Sequence, residues 1–285
     1  MKKGIVIYAH NNRTVDYAML AVISGGLAKK HLGVPVSLIT DETTYQWMID
    51  SNIDKRAQDI FENIIFVPKP ETYNKRRLCD GINSDMVPFV NENRYSVWNM
   101  TPYDRTLLID SDFLIWSNNI DKFWDVDEDI LLGESINDIY GSQRVGYLDK
   151  YISETGVKLY WATTVMFTKN EKSKLFFDTV ECIKNNYKWF ADVFRFDDRQ
   201  YRNDISFSIA KHIIDGFEQN TICLPSLLTV LDRDILHAVD GRRLTFLIDH
   251  RLDNNFCAAT ISDMDIHVMN KQSIFRNKDM LLESI

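Results

Sequence analysis

The sequence predicts an α/β fold: a mixed, mostly parallel sheet flanked by helices, with a nucleotide-type crevice at the strand ends. Three observations carry this. Short apolar runs rich in β-branched residues recur along the chain, as buried parallel strands do. Stretches with apolar residues at helical spacing separate several of them. One run, Thr106-Leu107-Leu108-Ile109, ends directly in Asp110-Ser111-Asp112, and in open α/β sheets ligands bind at the carboxyl ends of strands.

Gly4-Ile5-Val6-Ile7-Tyr8 reads as the first strand, and Ala9-His10-Asn11-Asn12 as the polar turn after it. Met19, Val22, Ile23 and Leu27 keep helical spacing up to Leu32-Gly33, where glycine stops the helix. Val36 to Ile39 is a second strand running into Thr40-Asp41-Glu42, and Ile64 to Val67 a third, closed by Pro68. Residues 91–100 read as helical and lead into the strand before Asp110. Ile130 to Gly133 is a further strand, followed by Glu134. The polar stretch 135–156, with Gly141, Gly146 and Gly156, reads as an inserted loop or small subdomain. Lys158 to Thr168 is strand-like and Glu171 to Tyr187 helical. Asp204 to Ile214 is a helix with Asn203 at its N-cap. Beyond that, only Met264 to Met269 alternates like a strand. No repeat or linker interrupts the chain. The simplest division is one domain over 1–285: a nucleotide-binding half (1–115) and an acceptor-side half (116–285), with the loop insertion at about 135–157.

The bulk numbers exclude several classes. Charged residues, 26% of the 285, break every long apolar stretch, so no membrane span is expected. Met1-Lys2-Lys3 runs straight into a strand too short for a signal-peptide core. Cys79, Cys182, Cys223 and Cys257 are far apart and read as reduced thiols of a cytoplasmic protein. A net charge of −8 gives no general attraction to nucleic acid. Local basic groups remain: Lys75-Arg76-Arg77, Arg242-Arg243 with Arg251, and Arg276 with Lys278. Each suits a solvated surface, or together they line one acceptor face.

Asp110 and Asp112 are two carboxylates spaced i and i+2. Ionised together they repel, unless a cation lies between them or one takes a proton. A hard divalent ion with oxygen ligands suits such a pair and can hold a diphosphate as a leaving group. Asp is also a common turn residue after a strand, where its side chain caps nearby backbone.

The segment Tyr103 to Leu114 resembles the D-x-D segment of GT-A-fold glycosyltransferases, most closely the glycogenin-like sugar-nucleotide transferases. In that family a basic residue lies sixteen positions before the first Asp, with a Trp four residues after it; Arg94 and Trp98 hold that register here without a gap. The resemblance implies that Arg94 faces the donor diphosphate or sugar, with Ser111 between the two aspartates on the donor side. It implies a third metal ligand near the C-terminus, His267, and a Lys on the diphosphate, Lys271. The Gly usual between those two is missing in this chain. The set Asp110, Asp112 and His267 suits Mn²⁺ or Mg²⁺, with imidazole favouring Mn²⁺ slightly.

Two looser blocks follow. Trp161 to Met166 stands where the family has Asn-Ser-Gly, with Ala162 and Thr164 replacing Asn and Gly. A core strand explains it nearly as well. Asn203-Asp204 stands where the family has Asp-Gln at a helix start, so Asp204 is expected at the transferred sugar or the acceptor hydroxyl. Favourable interaction with the helix dipole is the simpler reason for a carboxylate there. Ala9, His10 and Asn11 stand where such folds bind base and ribose, Asp41 is a further base or ribose candidate, and Glu134 a spare acceptor contact or base.

The implied reaction moves a sugar from a UDP-sugar to an acceptor hydroxyl, with Asp110 and Asp112 on the metal and retention at the anomeric carbon. The combination of 103–112, 202–204 and 267–271 also resembles small GT-A proteins of bacteriophage genomes, some of which decorate hydroxymethylated cytosine in DNA. That likeness makes 5-hydroxymethylcytosine in double-stranded DNA the expected acceptor and the host cytoplasm the expected location. A glycan or small-molecule acceptor is the alternative. A phosphatase of the haloacid dehalogenase type would carry its two Asp near the N-terminus. A sugar nucleotidyltransferase would want a Gly-rich loop after the first strand, and Ala9 to Arg13 has no Gly. A sugar-nucleotide-binding module without turnover is the non-enzymatic alternative.

Overall fold

The computed structural model describes all residues except 70, 73, 81, 82, 142, 143, 145–149, 155, 219, 220 and 251–254, so Gly146 and Arg251 lie outside the described residues. The central sheet is built on β1 (Lys3–Ala9), β2 (Val36–Thr40) and β3 (Phe61–Phe66). A hairpin follows, β4 (Lys75–Cys79) and β5 (Ser84–Pro88). Then come β6 (Arg105–Ile109), β7 (Phe113–Leu114), β8 (Ile130–Gly133), β9 (Ile136–Asp138) and β10 (Trp161–Thr168). The six central strands run in the order β3-β2-β1-β6-β10-β8. β1 pairs in parallel with β2 on one side and β6 on the other, and β2 in parallel with β3; β10 lies antiparallel between β6 and β8. The mostly parallel expectation is met. Strand order reverses between β1 and β6, so the crevice beyond their carboxyl ends is the place where this architecture binds ligands.

A second sheet takes the order β7-β15-β11-β9, using β11 (Leu227–Val230) and β15 (Ile266–Val268). β7 begins immediately after Asp112, so Asp110-Ser111-Asp112 is the corner between the two sheets. An antiparallel meander, β12 (Ile235–Asp240), β13 (Arg243–His250) and β14 (Asn255–Ser262), fills the stretch before β15 that the sequence reading leaves unassigned. Its pairing is non-local and its last strand keeps much of its length exposed, so the apolar pattern is weak.

Helix α1 (Tyr17–Leu32) is buried on most of its circumference, as an all-round apolar helix must be. Asp16 caps its start and Gly33, at φ 62°, its end. Ala18, Ala21, Val22 and Ala28 pack into the core of the central sheet, while Leu20, Ile23 and Leu27 pack into a second core with Phe246 and Ile248 of the meander. Next come α2 (Glu42–Asp50), α3 (Asp54–Ile60) and α4 (Val97–Met100). Where a helix is expected over 91–100, a 3₁₀ turn (Arg94–Ser96) and the single turn of α4 stand instead. α5 (Glu171–Asn185) starts with a capping box between Asn170 and Ser173. A separate helix, α6 (Tyr187–Phe194), follows. α7 spans Asn203–Ile214 with Arg202 rather than Asn203 at its N-cap, one residue earlier than expected. Two short helices, α8 (Lys271–Arg276) and α9 (Lys278–Glu283), complete the described elements. Among the described residues no helix is long and apolar enough to cross a membrane, and the four cysteines are free thiols.

Gly4 on β1 is required by Tyr103. A Cβ there would run into the Tyr103 ring, itself buried and tied by its hydroxyl to Ser37 Oγ at 2.7 Å. Gly4→Ala is expected to lower stability by about 1–3 kcal/mol, as overpacked core positions do. Urea denaturation checks this: the midpoint falls while the slope stays unchanged.

Candidate active site

Beyond the carboxyl ends of β1 and β6 lies a cleft of about 520 Å³. Asp110 and Asp112 stand on its wall. The Asp110 amide donates to Thr163 O on β10 (3.0 Å), and Phe113 N donates to Asp110 O (3.1 Å), closing a tight turn. β15 then fixes the third member. His267 pairs with Phe113 across β15 and β7, and Val268 N donates to Asp112 O at 3.0 Å. One ligand atom from each of Asp110, Asp112 and His267 lies within 4.8 Å of the others.

Two cations complete the cluster. Arg94 Nη1 is 2.7 Å from Asp110 Oδ1, with the guanidinium nearly wholly buried. Its 3₁₀ turn is held to β1 by Tyr8 Oη at 3.1 Å from Ser96 Oγ. Lys271 Nζ, from the first turn of α8, is 2.5 Å from Asp112 Oδ2, and His267 Nε2 is 3.6 Å from the same oxygen. Burial pushes Asp110 above the ordinary carboxylate range, opposed by Arg94 and reinforced by Asp112. Burial would push Asp112 the same way, but the Lys271 ammonium and His267 outweigh it and hold Asp112 well below that range. The surroundings thus favour the ionised form at Asp112 and oppose it at Asp110.

The donor set fits a divalent cation: two carboxylates and an imidazole, oxygen and nitrogen ligands of the kind Mn²⁺ and Mg²⁺ sites use. Buried polar atoms without partners surround it. Among the described residues His267 Nδ1 and Arg94 Nε and Nη2 have no hydrogen-bond partner, and unsatisfied groups at such a density ask for a ligand.

The other expected residues divide. His10, Ser111, Asp204 and Lys271 line the cleft with Arg94 and the two aspartates. Ala9, Asn11 and Asp41 stand behind its wall. The Ala9 carbonyl accepts from Thr40 Oγ1. Asn11 Oδ1 accepts from Ala18 N and its amide donates to Asp16. Asp41 is the N-cap of α2 and accepts from Thr44 N (2.9 Å) and from Thr43 and Thr44 hydroxyls. It also accepts from His10 Nδ1 at 2.9 Å. Burial holds His10 below its ordinary value, against Asp41's pull, which favours a neutral ring that donates its Nδ1–H to Asp41. Glu134 pairs with Lys158 and is off the cleft wall. Trp98 donates to Ser173 Oγ at 3.0 Å and ties α4 to α5, a structural role.

Asp204, at the start of α7, accepts from Ala162 N at 3.0 Å and stands 3.4 Å from Arg202. The Trp161 to Met166 block thus meets the helix-start block through the backbone of the residue that departs from the family pattern. Sequence reasoning did not single out Tyr17, Gln200 and Asp232, which also line the cleft with Trp161. None of the three carries a motif; only the fold assembles them. The basic groups do not form one face. Arg76 and Arg77 line the cleft, and Arg276 reaches Asp80 in the loop of the β4–β5 hairpin. Arg242 pairs with Asp263 near His31, at the opposite end of α1 from the cleft.

No family model matches the chain, and no curated protein sequence matches it. Among solved structures it is similar to the apo form of the glycosyltransferase GlyE of Streptococcus pneumoniae TIGR4: 14% identity, TM-score 0.40, 74% of this chain and 43% of that one. It is also similar to the galactosyltransferase LgtC in complex with donor and acceptor sugar analogues: 18% identity, TM-score 0.43, 73% of this chain and 70% of that one. The chain thus spans under half of the GlyE chain and about two thirds of LgtC.

The Asp41 cluster sets an acid limit. Burial alone would raise Asp41, but hydrogen bonds from Thr43, His10 and Thr44 outweigh it and hold it below the ordinary range. A carboxyl depressed in the folded state contributes stability above its unfolded pKa and loses it as pH falls toward the folded value. Chemical denaturation between about pH 7 and pH 2 is expected to show stability falling below about pH 4, and Asp41→Asn is expected to flatten that acid limb.

Proposed function

We propose that this chain is a metal-dependent glycosyltransferase that moves a sugar from UDP-sugar to an acceptor hydroxyl. The observation that carries the proposal is the convergence of Asp110, Asp112 and His267 beside Arg94 and Lys271, at the crevice where the strand order reverses. Asp110, Asp112 and His267 would hold a divalent cation, Mn²⁺ or Mg²⁺. When bound, such an ion supplies Lewis-acid charge to a diphosphate leaving group.

The remaining work falls to side chains. Lys271 brings its ammonium, and Arg94 its Nε and Nη2, without partners among the described residues, to the charge that grows on the departing diphosphate. Ser111 lies between the aspartates on the donor side. His10, neutral and clamped by Asp41, offers Nε2 as an acceptor toward the base or ribose. Ala9, Asn11 and Asp41 serve this subsite from behind, by fixing the turn after β1. Asp204, oriented by Ala162 N, faces the transferred sugar or the acceptor hydroxyl.

For the acceptor we put forward 5-hydroxymethylcytosine in DNA, with the base flipped out of the duplex to reach the cleft. The resemblance to phage GT-A proteins supports it, as do Arg76 and Arg77 on the cleft wall. A glycan or small-molecule hydroxyl is the alternative, favoured by the net charge of −8 and by the distance of Arg242 from the cleft.

With Mn²⁺ the protein is expected to hydrolyse a UDP-sugar slowly, and Asp112→Ala to reduce the rate by at least ~100-fold, followed by mass spectrometry. UDP affinity by calorimetry is expected to collapse in chelator. Equal UDP affinity in chelator and in an Asp110→Ala/Asp112→Ala double variant would remove the transferase reading. Activity on hydroxymethylated duplex is expected to fall steeply with salt; activity on glycans with none on DNA would leave the transferase and discard this acceptor.

A further inference from the structure

We infer that Arg76 is an anion-recognising residue of the acceptor subsite, so that the preferred acceptor carries a phosphate group close to its reacting hydroxyl. This rests on the transferase reading and goes beyond it.

Arg76 sits on β4, half-buried, with its guanidinium carbon 3.5 Å from the Phe89 ring centroid. Stacking of this kind fixes the plane of a guanidinium without occupying its N–H donors. Among the described residues no hydrogen bond or ion pair takes those donors up. The hairpin that carries Arg76 is itself anchored. Gln200 donates to Lys75 O at 2.7 Å, Asn12 to Pro88 O at 3.4 Å, and Arg276 reaches Asp80 at 3.3 Å. An oriented guanidinium with free donors on a braced strand is a preformed site for a planar or tetrahedral oxyanion.

The question is which anion. Gln200, three residues before α7, holds the strand at Lys75, next to Arg76, and Asp204 at the start of α7 lines the same cleft. Lys271, by contrast, is ion-paired with Asp112 at 2.5 Å. Arg76 therefore belongs to the α7 wall of the cleft and Lys271 to the opposite, metal-side wall. The diphosphate already has Lys271, Arg94 and the cation site on its own side. Apart from the Arg94–Asp110 and Lys271–Asp112 pairs, Arg76, Arg77 and Arg202 line the cleft against Asp204 and Asp232, so one positive charge is left over there. A neutral acceptor leaves it unmatched; a phosphate ester or phosphodiester next to the hydroxyl matches it. A sugar phosphate and a nucleic-acid backbone share that chemistry.

The test uses paired probes on the full chain with Mn²⁺ and a UDP-sugar: glucose 6-phosphate against glucose, and a dinucleoside monophosphate against its nucleoside. Each is scored for transfer and for competition with hydrolysis. The expected result is that the phosphorylated member of at least one pair acts at a concentration at least about tenfold lower. Arg76→Ala should erase that preference while the Kd for UDP with Mn²⁺ stays within about twofold. Arg76→Lys, which keeps the charge without the fork, should restore part of it. The pair that shows the preference identifies the source. If in neither pair the phosphorylated member does better than its neutral counterpart, or if Arg76→Ala weakens UDP as much as it weakens the phosphorylated probe, the inference is overturned while the transferase survives. If the parent protein fails to bind UDP with Mn²⁺ at all, the transferase reading falls first and the inference with it, an outcome plainly different from the other two.

Discussion

Two carboxylates forced together at the end of one buried strand are the constraint on which the rest of the structure turns. Burying even one unpaired charge costs several kcal/mol. Asp110 and Asp112 are separated by a single residue, and Asp112 is nearly inaccessible. The fold answers with compensating groups from two distant segments: Arg94 from a 3₁₀ turn, and His267 and Lys271 from β15 and the start of α8 that follows it. Two short strands make the last two possible. β7 starts where the carboxylate turn ends, and its pairing with β15 carries a residue more than 150 positions away to within reach of Asp112.

The compensation is uneven, and the unevenness has chemical meaning. Asp110 is held by a rigid guanidinium, Asp112 by a flexible ammonium. Asp112 carries Lys271 and would also help hold a metal ion, so ammonium and ion would share one carboxylate. A lysine can leave that carboxylate with little strain, because its stem has four rotatable carbons. Arg94 cannot do so as readily, since it is buried on all sides. The arrangement balances each carboxylate with a cation, one on a planar guanidinium and one on a long unbranched stem.

The parts legible in sequence are those with local signals. β1, β2 and β6 are continuous apolar runs because both faces of a parallel strand are covered, and α1 ends at the one glycine its C-cap requires. Asp110 and Asp112 could be picked out as closely spaced acids after such a run, and Arg94 only through the register that the resemblance to glycogenin-like transferases implies. The rest depends on non-local partners. The meander β12 to β14 has no crossover helix to mark it, and α6 is divided from α5 at Asn186, with neither Gly nor Pro between them. Lys75-Arg76-Arg77 reads as solvated surface until β5 pairs with it and Phe89 comes under Arg76. Asp41 is the instructive case. Its place at the end of β2 suggests a ligand contact, yet Asp followed by Glu-Thr-Thr is equally a helix start, and the cap is what the fold uses.

The site also depends on packing far from it. The segment carrying His267 and Lys271 has only a three-residue strand and two short helices of its own. What holds it in register is the second core, where Val268, Ile274 and Leu281 meet Leu20, Ile23 and Leu27 of α1. Gly26 lets the chain close on that helix, since a side chain there would occupy the space taken by Ile285. The other side of α1 belongs to the central sheet that ends in the two aspartates. One helix therefore sets the distance between the carboxylates and the imidazole that faces them. Its first residue, Tyr17, stands on the cleft wall. The precision of the cluster is inherited from apolar contacts spread along about 20 Å of helix, because polar contacts between three short elements alone could not fix it.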